Sequence, residues 1–302
     1  MKTKVGKTRA RVNKKALLVF HILLMLAALS CLYPFLLILG SSFQGESEIA
    51  KIGYRAIPHH VMLDAYKALF ASPASLINAY KITAITTVIT TVAGLWVIST
   101  YGYVLSRRDY AYRKILSFYA FFTMLFNGGM VPSYILIAKW LGLKDSIWAL
   151  ILPLICNVWN MLMMKSFFMA LPSSLIESAK IDGAGELRIF TQIIIPISKP
   201  AFATIGLFYI LNAWNDWNLS LLYIDDDRLI KLQYLLMRLM SNMEFLNSYD
   251  AIKYGVVRES VSIPTNSARM AMCILAAGPI VVIFPFFQKY FVKGITVGSV
   301  KG

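Results

Sequence analysis

The residues most able to do chemistry sit inside apolar runs. Asp216 lies in the run 200–224, with Asn212 and Asn215 at 3–4 helical spacing and Trp214 and Trp217 beside them. Asn157 and Asn160 repeat the theme at i,i+3 in the run 146–168. A carboxylate in such a setting is costly and by default marks a functional position facing the bundle interior. Two uses are open: amides, a carboxylate and indoles can line a path for a polar solute, or they can hydrogen-bond neighbouring helices and hold a bundle together. The stripe Thr83, Thr87, Thr90 suits helix packing, and Lys81 suits snorkelling to the headgroups.

Catalytic and metal-binding chemistry finds no comparable support. The three histidines, His21, His59 and His60, lack metal-ligand spacing, and Cys31, Cys156 and Cys273 fall in apolar runs with no paired spacing. Gly6-Lys7-Thr8 resembles the end of a phosphate-binding loop, but its first glycine would fall at Met1 with no strand before it. The triplet Asn218-Leu219-Ser220 lies in an apolar run, which argues against glycosylation. With no carboxylate pair, nucleophile elbow or dinucleotide turn, the chain is expected to be no enzyme and to hydrolyse no nucleotide itself.

The elements that must position these groups are membrane helices. Of 302 residues, 58% are hydrophobic and 15% charged, against about a quarter charged in soluble domains. A net charge of +15 raises nucleic acid as a partner, and the apolar content argues against it. Six runs are long enough to span: 16–40, 78–105, 115–138, 146–168, 200–224 and 269–291. Charge sorts between the segments joining them. Residues 1–15, 107–114, 165–199 and 289–302 sum to +14, and the alternate set, 41–77, 139–145 and 225–268, sums to zero. By the positive-inside rule both termini are expected to be cytoplasmic. The first run is too long for a signal core and has no small-residue site at its end, so it is expected to be a retained helix. The predicted organisation is a basic N-terminus 1–15, a first helix 16–40, an extracellular loop 41–77, a five-helix core 78–291 with a cytoplasmic loop 169–199 and an extracellular loop 225–268, and a tail 292–302.

The cytoplasmic loop is long for a structureless connection and should contain helices. Ser174 and Glu177 have capping-box spacing, and Gly183 can take the left-handed conformation that ends a helix. A helix of barely two turns does not persist alone in water. It needs a surface, and Leu175, Ile176 and Ala179 form an apolar face for one. That surface is either the chain's own cytoplasmic rim or a separate partner.

Here the residues carry a resemblance. Glu177-x-Ala179-x-x-Asp182-Gly183-Ala184, followed by Phe190, Ile193, Pro196 and Lys199-Pro200, resembles the EAA loop of permeases of binding-protein-dependent ABC importers; Ser178 stands where the family more often has a second alanine. The ending from Phe287 to Gly302 is similar to the C-terminus of the second permease of maltose-type carbohydrate importers, and Asn212-x-Trp214-Asn215-Asp216-Trp217 also fits that group. A tail drawn to anionic lipid would need only Lys289, Lys293 and Lys301.

The resemblance implies an all-α integral membrane protein with six transmembrane helices and a type I ABC importer (MetI-like) transmembrane domain in the cell membrane. It implies that Glu177, Ser178, Ala179, Asp182, Gly183 and Ala184 couple to an ATPase, with Ala179 allowing close approach, and that Gly294, Gly298 and Lys301 lie at an ATPase interface. The implied partners are a homologous permease in a heterodimer, two cytoplasmic ATPase subunits that hold ATP and Mg, and an extracellular or periplasmic solute-binding protein. The implied cargo is a carbohydrate, reached through Asn157, Asn160, Asn212, Trp214, Asn215, Asp216 and Trp217. This chain itself is expected to bind no cofactor, metal or nucleic acid. A non-sugar polar cargo and an ATP-independent secondary transporter are the competing readings. Leu232-Gln233-Tyr234-Leu235-Leu236-Met237 suits a docking helix or a segment folded back on the bundle.

Overall fold

The computed structural model describes residues 14–246 and 264–298. Most of the basic N-terminus, the part 247–263 of the expected extracellular loop, and Lys301 lie outside the described residues. All regular structure among the described residues is helical. In chain order the helices are α1 (Lys14–Ser41), α2 (Glu46–Ile52), α3 (Asp64–Leu69), α4 (Pro73–Ser106), α5 (Arg113–Leu125), α6 (Met130–Tyr134, continued by a π-helical turn Ile135–Trp140), α7 (Ile147–Ile155) and α8 (Val158–Met169). There follow α9 (Ser173–Ile181), α10 (Glu186–Ile189, continued by a π-helical turn Phe190–Ile194), α11 (Ile195–Ile197), α12 (Lys199–Asn215), α13 (Asn218–Tyr223), α14 (Leu232–Leu246) and α15 (Thr265–Gly298).

Three of the expected spans are continuous helices: α1, α4 and the first part of α15, Thr265–Gln288. The others are broken. Arg113–Leu125 and Met130–Trp140 meet at 110°, Ile147–Ile155 and Val158–Met169 at 43°, and Glu186–Ile197 and Lys199–Asn215 at 81°. Six spans result only if each bent pair counts as one. The expected single helices 115–138 and 146–168 are corrected by the first two bends, and 200–224 by a further break, since the 81° bend at Ser198 precedes it. The first turns at Phe126–Gly129, where Gly129 takes φ +89°. The second turns at Cys156 and Asn157, two residues after the Pro153–Leu154 pair. The third ends α12 at Asn215 and resumes at Asn218. Apolar composition survives such breaks, so hydropathy does not report them. α15 likewise runs past 291 to Gly298, so that Gly294 and Gly298 are helical.

The described residues divide into two units. In the first, holding those up to Leu69 and those between Met243 and Ile274, the Glu46 carboxylate accepts the backbone N–H groups of Asn266 (3.0 Å) and Ser267 (3.1 Å) at the start of α15. That satisfies amides which have no partner within the helix. The long side chains of α1 from Leu17 to Leu32 are exposed on every side. An apolar helix so exposed fits a lipid environment.

In the second unit α4 is the hub against which α7, α8 and α12 pack. At 34 residues α4 is about 51 Å long, well beyond the ~30 Å hydrocarbon thickness. Small residues let the neighbours close in: a Cβ on Gly102 would meet the Lys165 backbone nitrogen at 3.2 Å. Thr83, Thr87 and Thr90 are buried in this packing, as helix contacts would have them. Lys81 is exposed. Gly94 faces Tyr209, whose hydroxyl donates to the Ile155 carbonyl (2.7 Å) and accepts from the Asn157 N–H (3.3 Å). One side chain thus satisfies two of the backbone groups freed at the α7–α8 break, as an apolar surrounding demands. A Cβ on Gly94 would lie 2.5 Å from that ring and 3.1 Å from the Ile155 oxygen. Gly94→Ala is therefore expected to destabilise the protein by about 1–3 kcal/mol through overpacking. Thermal unfolding in detergent checks this, and an unchanged midpoint would refute the packing described.

Candidate functional site

The helix expected within the loop 169–199 exists as α9, with one correction at its start. Pro172 is the N-cap, the helix begins at Ser173, and no side chain caps it. Ser174 is thus inside the first turn, and the Ser174–Glu177 capping box does not form; the fixed φ of Pro172 starts the helix instead. The stop is as expected. Gly183 takes φ +76°, its N–H donates to Lys180 (3.0 Å), and the Ala184 N–H reaches back to Ala179 (2.9 Å). These bonds satisfy the last carbonyls of the helix.

One face of α9 is turned into the protein. Ala179 is buried in a cluster with Tyr103, Phe168, Ile189 and Phe190, and Ile176 packs against it. The opposite surface carries Glu177, Ser178, Asp182 and Gly183, all exposed, while Ala184, partly buried, packs against the cluster with Ala179. Apolar groups are left open beside them: Ile181 is 86% exposed and Leu187 71%. A cavity of about 360 Å³ opens between α9 and the end of α4, with Arg108, Ser173 and Glu177 on its wall.

Polar groups fix α9 on this seat. Lys180 Nζ lies 2.9 Å from Asp109 Oδ2 and 2.9 Å from Glu186 Oε1. Arg107 grips Asp109 through Nε (3.1 Å) and Nη2 (2.8 Å) and reaches Glu186 at 3.5 Å. The Tyr103 hydroxyl donates to Glu186 Oε2 at 2.6 Å. Hydrogen bonds from Lys180 and then Arg107 hold the Asp109 carboxyl down at about 2. A depressed carboxylate contributes fully above its unfolded value and loses that contribution only as pH falls towards 2, so the group is an anion near neutral pH.

The second group of candidates surrounds the break after α12. Asp216 is not on the face of a continuous helix; it is the C-cap of α12 with extended backbone, φ −73° and ψ 118°. Its Oδ1 accepts the Leu219 N–H at 3.4 Å, in α13, and its Oδ2 lies 3.1 Å from Lys231 Nζ. Lys231 is fully buried and also donates to the Ala213 carbonyl at 2.6 Å. Trp214 is buried, its indole N–H donating to Ala276 at 2.9 Å. Asn212, Asn215 and Trp217 are exposed, and Asn215 accepts from Gln233 at 3.2 Å. Asn157 is the N-cap of α8 and accepts the N–H of Asn160, itself buried, at 3.0 Å. The segment 232–237 does fold back: Leu232 and Leu236 are buried, and the Leu232 N–H donates to Thr83 Oγ1 at 2.8 Å. The arrangement offers hydrogen bonding and docking surfaces. Among the described residues no group of three or more His, Cys, Asp or Glu is placed to hold a metal ion.

Comparison with known proteins decides what kind of machine this is. Residues 99–297 match the family described as the binding-protein-dependent transport system inner membrane component. The chain belongs to that family. The permease is 39% identical over 286 residues to the "Polygalacturonan/rhamnogalacturonan transport system permease protein YtcP" of Bacillus subtilis (strain 168), covering 95% of this chain and 98% of the relative. It is 39% identical over 269 residues to "Protein LplC" of the same organism, covering 89% of each. A solved chain titled "Crystal structure of a bacterial ABC transporter involved in the import of the acidic polysaccharide alginate" matches with TM-score 0.74 and 28% identity, over 95% of the permease and 100% of that chain. The fold is that of an ABC importer permease.

Several groups that organise this permease site escape a reading by motif. Tyr103, Arg107, Asp109 and Glu186 meet α9 from 71 and more residues away or across a turn. Tyr209 sits among ordinary core aromatics in the sequence, and nothing in its neighbourhood announces the broken helix it serves. Lys231 had a usable signal: it is a lone cation in Leu229-Ile230-Lys231-Leu232, which suits burial with a partner better than a solvated loop.

Proposed function

We propose that this chain is one permease subunit of an ATP-driven importer of carbohydrate, oligosaccharide in particular, in the cell membrane with both termini cytoplasmic. It pairs with a homologous permease, and two cytoplasmic ATPase subunits carry ATP and Mg. A solute-binding protein delivers the cargo from outside. The relatives' names support the cargo, since one is a polygalacturonan/rhamnogalacturonan permease and the solved neighbour serves alginate import.

The observation that carries the coupling is the open surface of α9. An apolar side chain 86% exposed on a short cytoplasmic helix, Ile181, flanked by Glu177 and Asp182, suits insertion into a groove of another protein. Ser178 belongs to the same surface, Gly183 sets the turn that ends it, and Ala179, with Ala184 packed on the same cluster, supports it from beneath by filling the chain's own core. Gly294, Gly298 and Lys301 complete the ATPase interface in this reading. For the sugar path, Asn212, Asn215 and Trp217 are the exposed groups that can meet hydroxyls and ring faces, Asn215 while hydrogen-bonded to Gln233, with Asn157, Asn160, Trp214 and Asp216 holding the broken helices that present them.

Ile181→Asp tests the coupling surface. Co-purification of the ATPase with the tagged permease is expected to fall at least tenfold while the permease unfolds at its usual temperature. Undiminished recovery of the ATPase would overturn the assignment.

A further inference from the structure

We infer that Tyr103, Arg107, Asp109, Lys180 and Glu186 act as a clamp that makes α9 and the end of α4 one rigid body, and that Lys180 is its positioning residue for coupling. The inference rests on the coupling role proposed for α9.

The charges are arranged as a closed, neutral ring. Two cations and two anions alternate, each carboxylate bridges two donors, and Tyr103 takes the remaining oxygen of Glu186. The ring joins three separate pieces of chain: the end of α4 with its following turn, the last turn of α9, and the first residue of α10. Without it, α9 would rest only on Ile176 and Ala179, a small apolar footprint for a nine-residue helix. Since α4 is the hub of its unit, a displacement of α9 carried by the ring enters the helices packed on α4 directly.

Magnitudes separate this role from a purely structural one. Arg107 is largely buried, but the side chains of Lys180, Asp109 and Glu186 are 42%, 56% and 52% exposed, and the ion pairs Lys180 makes, being so exposed, contribute little to global stability. What a connected network of short bonds supplies is orientation, because each member restricts the rotamers of the next. The ring should therefore matter much more for where α9 points than for whether the protein folds.

Spin labels at Thr100 in α4 and Ser174 in α9, with Cys31, Cys156 and Cys273 replaced, read this directly by distance measurement on the purified protein. A single narrow distance, unchanged when ATP and vanadate are added to the complex, is expected for the native clamp and for Lys180→Arg. Lys180→Met, which keeps the stem but removes the charge, is expected to broaden the distribution at least twofold while leaving the unfolding temperature and the amount of co-purified ATPase close to native. Equal widths in Lys180→Met and the native protein, or a native distance that shifts with ATP, would overturn the clamp. The width is read on the permease whether or not an ATPase accompanies it. Loss of the ATPase partner in the native protein would instead refute the coupling role of α9.

Discussion

Asp216→Ala is expected to cost about 3–5 kcal/mol, the range for removing one partner of a buried ion pair. The reason lies in the asymmetry of burial. The Lys231 side chain has no solvent exposure, while that of Asp216 keeps 12%. An ammonium stripped of its counter-charge must lose its proton or unfold its surroundings to find water. Lys231→Met is expected to be the milder change, because the stranded carboxylate can draw on its residual exposure and on the Leu219 N–H. The pair Asp216→Leu with Lys231→Met should recover most of the loss, since a well-packed apolar replacement of a buried pair is often neutral. Thermal unfolding of the four proteins in detergent, at low and high salt, provides the check. Salt should barely alter the differences, because a buried pair is poorly screened. An Asp216→Ala midpoint equal to native would mean that Lys231 is solvated, and the account of the α12–α13 break would fall with it.

The same pair marks the boundary of what the sequence could tell. Continuous apolar runs made α1, α4 and α15 legible, because a span of twenty or more residues has few soluble alternatives. The breaks were not legible. Hydropathy measures composition, whereas two of the breaks are held by distant side chains: Tyr209 at Ile155, Lys231 at Asp216. Reading 200–224 as one helix put Asp216 on a shared face with Asn212 and Asn215; as a C-cap it turns instead to Lys231 and α13. Lys231 entered the charge balance as an ordinary loop cation for the same reason. The short helix α9 was legible because turn chemistry is local: Pro172 and Gly183 bracket it. Its seat was not, since the ring that clamps it is assembled across the tertiary structure. The direction of Ala179 shows the limit sharply. The resemblance offered it to a partner, and packing gives it to the protein's own core.

Gly183→Val is expected to reduce ATP-driven uptake at least tenfold, and the cause is backbone strain alone. At φ +76° an L-residue is strained whatever the space, yet a Cβ there would meet nothing within 4 Å. Steric clash within the chain is therefore excluded as the mechanism. The left-handed conformation costs an ordinary residue about 1–2 kcal/mol, more for a β-branched one and less for asparagine. Relief is available close by. Unwinding the last turn of α9 breaks the bonds from Gly183 to Lys180 and from Ala184 to Ala179, and it displaces Asp182 and Ile181, which border the exposed surface. A shift of ~2 kcal/mol against the native turn lowers its population by about thirtyfold. Uptake should accordingly fall in the order Asn, Ala, Val at position 183, with Gly183→Asn close to native. That order distinguishes strain from contact. If position 183 were sensitive because a partner presses against it, the larger asparagine would be worse than alanine. Equal loss for asparagine and valine, measured as uptake per co-purified ATPase, would overturn the conformational explanation and make Gly183 a point of direct contact.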